Sequence, residues 1–133
     1  MNRVKFINAV NKTRIALNLS VRELAALASV SVSAIHNLQK NNSPSKPQTY
    51  ARIITALHAT IDAELFSEDL KKKRESLRLS ILSLSKWIGV SYNTLYKIDT
   101  NNLIPSIKTC CKIAQKLHMP LDELIRWPDK KVF

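Results

Sequence analysis

One glycine in 133 residues, Gly89, restricts this chain more than any other feature. Average usage of about 7% would supply roughly nine. A phosphate-cradling glycine loop needs left-handed backbone and close approach of the main chain, so functions built on one are disfavoured. Sandwiches and barrels of tight hairpins lean on glycine as well. What remains is an all-α protein. With 45% apolar and 23% charged residues the chain has enough greasy surface for a packed core. Its length suits one ordinary domain or two small ones.

Targeting and redox signals are sparse. The longest uncharged stretch, Leu24 to Gln39, is 16 residues and is interrupted by serines, His36 and Asn37. That is short of the about 18–20 apolar residues a membrane span needs. The opening MNRVKFINAVNKTR has no apolar core of signal-peptide type, so a soluble, cytoplasmic protein is expected, with no membrane partner. Cys110 and Cys111 are adjacent, which makes a bridge between them strained. His36, His58 and His118 lack ligand spacing, so no metal is expected, and Cys110 reads as a core-facing helical residue.

Comparing the chain with itself is most informative. A shift of 60 residues aligns Arg14–Asp62 with Arg74–Asp122 without a gap, and 14 of the 49 pairs are identical. They include Arg14/Arg74, Ser20/Ser80, Leu24/Leu84, Val30/Val90, Ser31/Ser91, Ile53/Ile113, His58/His118 and Asp62/Asp122. Such self-similarity implies two copies of a small domain, at residues 1–66 and 67–133.

Each copy reads as a string of short helices. In the first, a helix over roughly Val4–Asn18 buries Val4, Ile7, Val10 and Leu17. Ser20 caps a second over Val21–Ala28, and a third runs from Ser31 to about Lys40, burying Ala34, Ile35 and Leu38. NNSPSKP is a loop by composition. A fourth helix follows through Leu57, and a short fifth ends near Phe66. In the second copy Ser67, Ser80, Ser91 and Ser106 open the corresponding helices, and Thr94, Leu95 and Ile98 point inward. Phe66, Ser67 and Glu68 leave almost no linker, so the copies should sit in a fixed relationship. Trp127 is expected to cap the second core, with Val132 and Phe133 frayed or docked on a second chain.

The strings SVRELAALASVSVSAIHNLQ and SILSLSKWIGVSYNTLYKID resemble the phage-repressor (Cro-like) helix-turn-helix family. In its pattern an apolar residue is followed by a small one, with a glycine five positions after the apolar residue and then valine and serine. Leu84, Ser85, Gly89, Val90 and Ser91 match, as do Leu24, Ala25, Val30 and Ser31; Ser29 stands where the first copy should have glycine. Two tandem five-helix domains of lambda-repressor-like type are what the resemblance implies. Ser29 must then take a left-handed conformation despite its Cβ, straining or reshaping the first turn.

By the same resemblance, the open face of each third helix enters the major groove. In copy two it carries Ser91, Tyr92, Asn93, Tyr96 and Lys97, and in copy one Ser31, Val32, Ser33, His36 and Asn37. Asn suits adenine, Lys suits guanine, and Val32 can meet a thymine methyl. Phosphate contacts are expected from Lys40, Asn41, Asn42 and Lys46, from Lys86, Asn101, Asn102 and Lys108, and from the helix N-termini at Ser20 and Ser80. Lys71–Arg74 reads most simply as a solvated helix face.

Residues 1–66 hold 8 basic and 3 acidic side chains (net +5), and residues 67–133 hold 13 and 7 (net +6). Both halves suit a polyanion, although basic surfaces also serve RNA and acidic proteins. Both copies depart from the family at the start of helix two, and copy one departs further at the partner of Arg14. Val21 and Ile81 replace the glutamine usual at the start of helix two, and Arg14 meets Gln39 where Arg74 can pair with Asp99.

The leading expectation is a bacterial or phage regulator that binds double-stranded DNA with both units, as a built-in dimer. The alternative is a protein-binding module that sequesters a regulator or toxin, and a homodimer remains open. No nucleophile–base pair, paired carboxylates or cofactor signature points to an enzyme, and no cofactor is expected.

Overall fold

A computed structural model describes residues 1–40, 45–101 and 103–128. Among these, helices α1 (Arg3–Ala16), α2 (Val21–Ala28), α3 (Val32–Lys40) and α4 (Pro47–Ala56) precede a short strand β1 (Thr60–Ile61). Then come α5 (Ala63–Ser76), α6 (Ile81–Ile88), α7 (Tyr92–Asn101), α8 (Ile107–Leu117), α9 (Leu121–Leu124) and β2 (Ile125–Arg126). Adding 60 to the first residue of each of α1 to α4 gives the first residue of α5 to α8.

Local chemistry explains most of the helix starts. Asn2, Ser20, Asp62, Ser80 and Ser106 each cap a helix by accepting the amide three residues on. In α2 this becomes a capping box, because Glu23 reaches back to the Ser20 amide. Lys46 offers no side-chain cap, but Pro47 follows as the first helical residue, where its fixed φ and missing N–H cost nothing. The loop expected over NNSPSKP therefore ends one residue early, and residues 41–44 lie outside the described part.

Helix ends repeat one device without glycine. Asn18, Ser29, His58, Arg78 and His118 all have φ between 53° and 60°. Each precedes a residue whose amide returns to a carbonyl five positions back, as in Leu19 to Arg14 (3.0 Å) and Leu79 to Arg74 (3.2 Å). The scarcity of glycine thus did not remove left-handed backbone; it moved the burden onto polar residues. Ser29 (φ 55°, ψ 42°) and Gly89 (φ 72°, ψ 34°) adopt the same conformation, so the first turn is not reshaped. A non-glycine residue there costs about 1 kcal/mol or more. Ser29→Gly should accordingly raise stability by about 0.5 kcal/mol, once the greater freedom of glycine in the unfolded chain is subtracted. A rise in the urea midpoint is the expected readout; an unchanged midpoint would show that serine tolerates the turn freely.

The core is one connected cluster. α4 buries Tyr50, Ala51, Ile53 and Ile54, and α8 buries Cys110, Cys111, Ile113, Ala114 and Leu117. These two helices pack more extensively on each other than any other pair does. Small residues (Ala51, Cys111, Ala114) on the buried faces favour close approach of the backbones.

Four expectations need correction. The buried face of α1 is Phe6, Val10 and Thr13, while Val4 is 63% exposed. Phe6 meets Tyr50 edge-to-face at 5.3 Å, and its size outweighs the alternative stripe through Val4. Secondly, Ser67 opens no helix. α5 runs unbroken from Ala63 with Asp62 as its cap, so Phe66, Ser67 and Glu68 lie inside it. Thirdly, Trp127 packs on Phe6 of α1 at 5.9 Å, not on the second core alone; Val132 and Phe133 lie outside the described residues. Finally, the chain is mostly but not wholly helical. β1 and β2 pair antiparallel, Thr60 with Arg126 and Ile61 with Ile125.

Asp62 clamps that joint, accepting the Leu65 amide at 3.1 Å and Arg126 Nε at 2.8 Å. The amide first, and then Arg126, hold its carboxyl below the ordinary carboxylate range. A depressed folded-state pKa stabilises above the unfolded value of about 3.9 and is lost as pH falls below it. Stability measured by urea titration should therefore drop on acidification less steeply in Asp62→Ala than in the parent chain.

Candidate nucleic-acid interface

Two helix pairs, α2–α3 and α6–α7, present the same construction. Leu24 and Ala25 in α2, and Leu84 and Ile88 in α6, are buried against the helix that follows and the core. Ser85 stands where Ala25 does; its Oγ donates to the Val90 carbonyl at 2.6 Å, so the small polar residue is satisfied across the turn. Ser31 and Ser91 then cap α3 and α7, accepting the amides of Ala34 (3.0 Å) and Thr94 (3.2 Å). Their hydroxyl oxygens are therefore engaged at the helix start, at the edge of the face on which they were expected to read bases.

A second shared contact was not foreseen. Arg52 Nη1 donates to the Ser29 carbonyl at 3.1 Å, and Lys112 Nζ donates to the Gly89 carbonyl at 3.1 Å. Residues 52 and 112 are again 60 apart. Each cation sits at a helix C-terminus, where carbonyl oxygens lack partners and the helix dipole favours positive charge. The signal was available in the aligned repeats as a cation kept at both positions.

Along α3, Ile35 and Leu38 are buried, which leaves Ser33, His36 and Asn37 exposed and Val32 half-buried. Along α7, Leu95 and Ile98 are buried, and Tyr92, Asn93, Tyr96 and Lys97 are exposed. Both sets share one face because positions i, i+1, i+4 and i+5 fall together on a helix. Tyr92 and Tyr96 stack, with ring centroids 6.0 Å apart and planes at 19°.

Arg74 anchors α7 to α5. Its Nε and Nη2 meet the two Asp99 oxygens at 3.2 and 3.4 Å, and Nη1 meets the Leu79 carbonyl at 3.1 Å. Arg14 makes the equivalent carbonyl bond, to Leu19 at 2.7 Å, but its buried Nε has no partner among the described residues. α7 is thus fixed to α5 by an ion pair, and among the described residues α3 has no such pair to α1.

The residues expected to meet phosphate are distributed unevenly. Lys40, Lys46, Lys86 and Lys108 are exposed. Lys46, Lys108 and Lys112 line one shallow hollow where the starts of α4 and α8 meet, so the fold brings cations from both halves together. The N-terminus of α6 at Ser80 has Ser83 at the position where that of α2 at Ser20 holds the Glu23 carboxylate. Accepting the Ser20 amide keeps that carboxyl charged to lower pH than usual, which works against a phosphate at the same place. Asn41, Asn42 and Asn102 lie outside the described residues; Asn101 ends α7, and its side chain lies outside them too.

Burial pushes both thiols, Cys110 and Cys111, up to about 12, far from a reactive thiolate. Among the described residues no three metal-type side chains gather, and no helix is long and apolar enough to cross a membrane.

Residues 70–124 match the model of the helix-turn-helix family and form one domain of Cro/C1 type. The match takes in the second half of α5 and all of α6, α7, α8 and α9; a second copy is not detected. Its functional implication is DNA binding of the kind found in transcriptional regulators, which are typically not enzymes. No curated protein and no solved structure matches the chain.

Proposed function

We propose that this chain is a sequence-specific double-stranded DNA-binding regulator with two helix-turn-helix units, which one polypeptide carries as a built-in dimer. The first unit comprises α1 to α4, β1 and the start of α5, and the second the rest of α5 with α6 to α9, with a boundary at residues 66 and 67. Because that boundary falls inside α5, the helix belongs to both units and holds them in a fixed relationship.

The observation that carries this reading is the packing of α4 against α8. They occupy equivalent positions under the 60-residue shift, so one patch meets its own counterpart, as in the interface of a two-fold dimer. Dimers of helix-turn-helix proteins place half-sites about one helical turn apart, and a tandem chain has the means to do the same without a second copy. The repeated turn, with its left-handed residue and cationic bridge, gives each unit the same rigid support. The cations between the units suit the phosphates of a continuous duplex.

Footprinting on DNA upstream of the gene, with mobility-shift titration over a range of salt, tests the proposal. Two protected half-sites, one bound chain per site and a steep loss of affinity with salt are expected. Weak binding independent of sequence would refute it. The second reading, sequestration of a regulator or toxin, draws on Leu82 and Trp87, which stand 52% and 56% exposed on α6. Full activity in the cell from a variant that no longer binds DNA would favour it.

A further inference from the structure

We propose that Tyr92 and Tyr96 make the two half-sites unequal, by reading thymine methyl groups in the half-site of the second unit. The inference rests on the DNA-binding function proposed above and specifies the chemistry of the base it selects. Both rings belong to the outward face of α7, one helical turn apart, and are stacked on each other. They are 44% and 46% exposed, so the pair presents a broad apolar surface to solvent. Asn93 and Lys97 share that face, which places the rings among the polar groups suited to base edges.

In the major groove only thymine offers an apolar group, its 5-methyl. A flat, partly apolar ring gains from covering that methyl, while its phenolic oxygen stays available to water or phosphate. The equivalent positions of α3 hold Val32, half-buried, and His36, exposed and polar. The first unit therefore lacks a comparable surface, and the preference belongs to the second half-site. A merely structural role is the competing explanation, since aromatic residues four apart on a helix stabilise it slightly.

Uracil, which differs from thymine by that methyl, separates the two. The probe is a duplex of about 20 base pairs, two helical turns, recovered by the full-length chain from a randomised pool. It is resynthesised with uracil in place of each thymine in turn. At one or two thymines of a single half-site, affinity should fall about four-fold per methyl, the worth of one buried carbon group. Tyr92→Ala combined with Tyr96→Ala should bind the thymine and uracil duplexes alike, with its far-ultraviolet circular dichroism retained.

Equal affinity for thymine and uracil at every position in the parent chain would overturn the inference and leave the DNA-binding function standing. A uracil effect that survives in the double variant would also overturn it, by assigning the methyl to another residue. Failure to recover any duplex would remove the DNA-binding function, and this inference with it. Loss of helix stability in the variant with no uracil effect in the parent would assign the stacked pair a structural role alone.

Discussion

Replacing Asn93 and Lys97 together with alanine is expected to weaken binding to a specific duplex by at least about thirty-fold. Each side chain that hydrogen-bonds a base edge is worth about 1–3 kcal/mol of discrimination, so two lost contacts give about 2 kcal/mol at the low end. Both residues are exposed on α7, and neither contributes to the buried core, so the unfolding midpoint should stay where it is. Fluorescence anisotropy against the specific duplex and a scrambled one checks both parts. Affinity for the scrambled duplex should fall less, because most of that binding comes from phosphate contacts elsewhere. A variant with undiminished preference for the specific duplex would move base reading away from α7. The matching pair in the first unit, Ser33 and Asn37, should cost less when replaced, since among the described residues α3 has no counterpart of the ion pair that Arg74 and Asp99 give α7.

Phe6→Ala should cause the largest loss of stability, about 3–5 kcal/mol. The ring is 1% exposed and lies between Tyr50 of α4 and Trp127 beyond β2. Removing it leaves a cavity bordered by three separate segments, which cannot all close on it at once. Against a total of about 5–15 kcal/mol for an ordinary domain, that is a large share. Val4→Ala, on the same helix but 63% exposed, should change stability by no more than about 0.5 kcal/mol. Urea denaturation of the two variants side by side decides the matter. Comparable effects would mean that the buried face of α1 has been assigned wrongly.

The contrast between these two residues shows what the sequence made legible. Ser20 and Ser80 announce α2 and α6 correctly because a helix start depends on a side chain and an amide three residues apart. The turn at Ser29 could be located by the same local logic, through its alignment with Gly89. The pairing of Arg74 with Asp99 followed from the family pattern alone. The face of α1 was less accessible. Val4 and Phe6 are both apolar, and the choice between them is made by Tyr50 and Trp127, which are remote in sequence. The strands β1 and β2 span two residues each, too short for any alternating pattern to register. Continuity through Ser67 was obscured for a related reason. A serine reads as a cap from its own chemistry, but Asp62 had already capped the helix five residues earlier.

The meeting of β1 with β2 has a consequence for the order of the chain itself. The Asn2 amide donates to Asp122 Oδ1 at 3.0 Å, and Trp127 rests on Phe6. Near one end of the fold, α9 leads to α1 across a small gap in space, much as the segment after β1 leads into α5 through an unbroken backbone. Residues near the two described ends of the chain therefore lie side by side. A permuted chain, joined from Pro128 to Asn2 by a short linker and opened at the exposed Leu103, is expected to fold with the same helices and bind the same duplex.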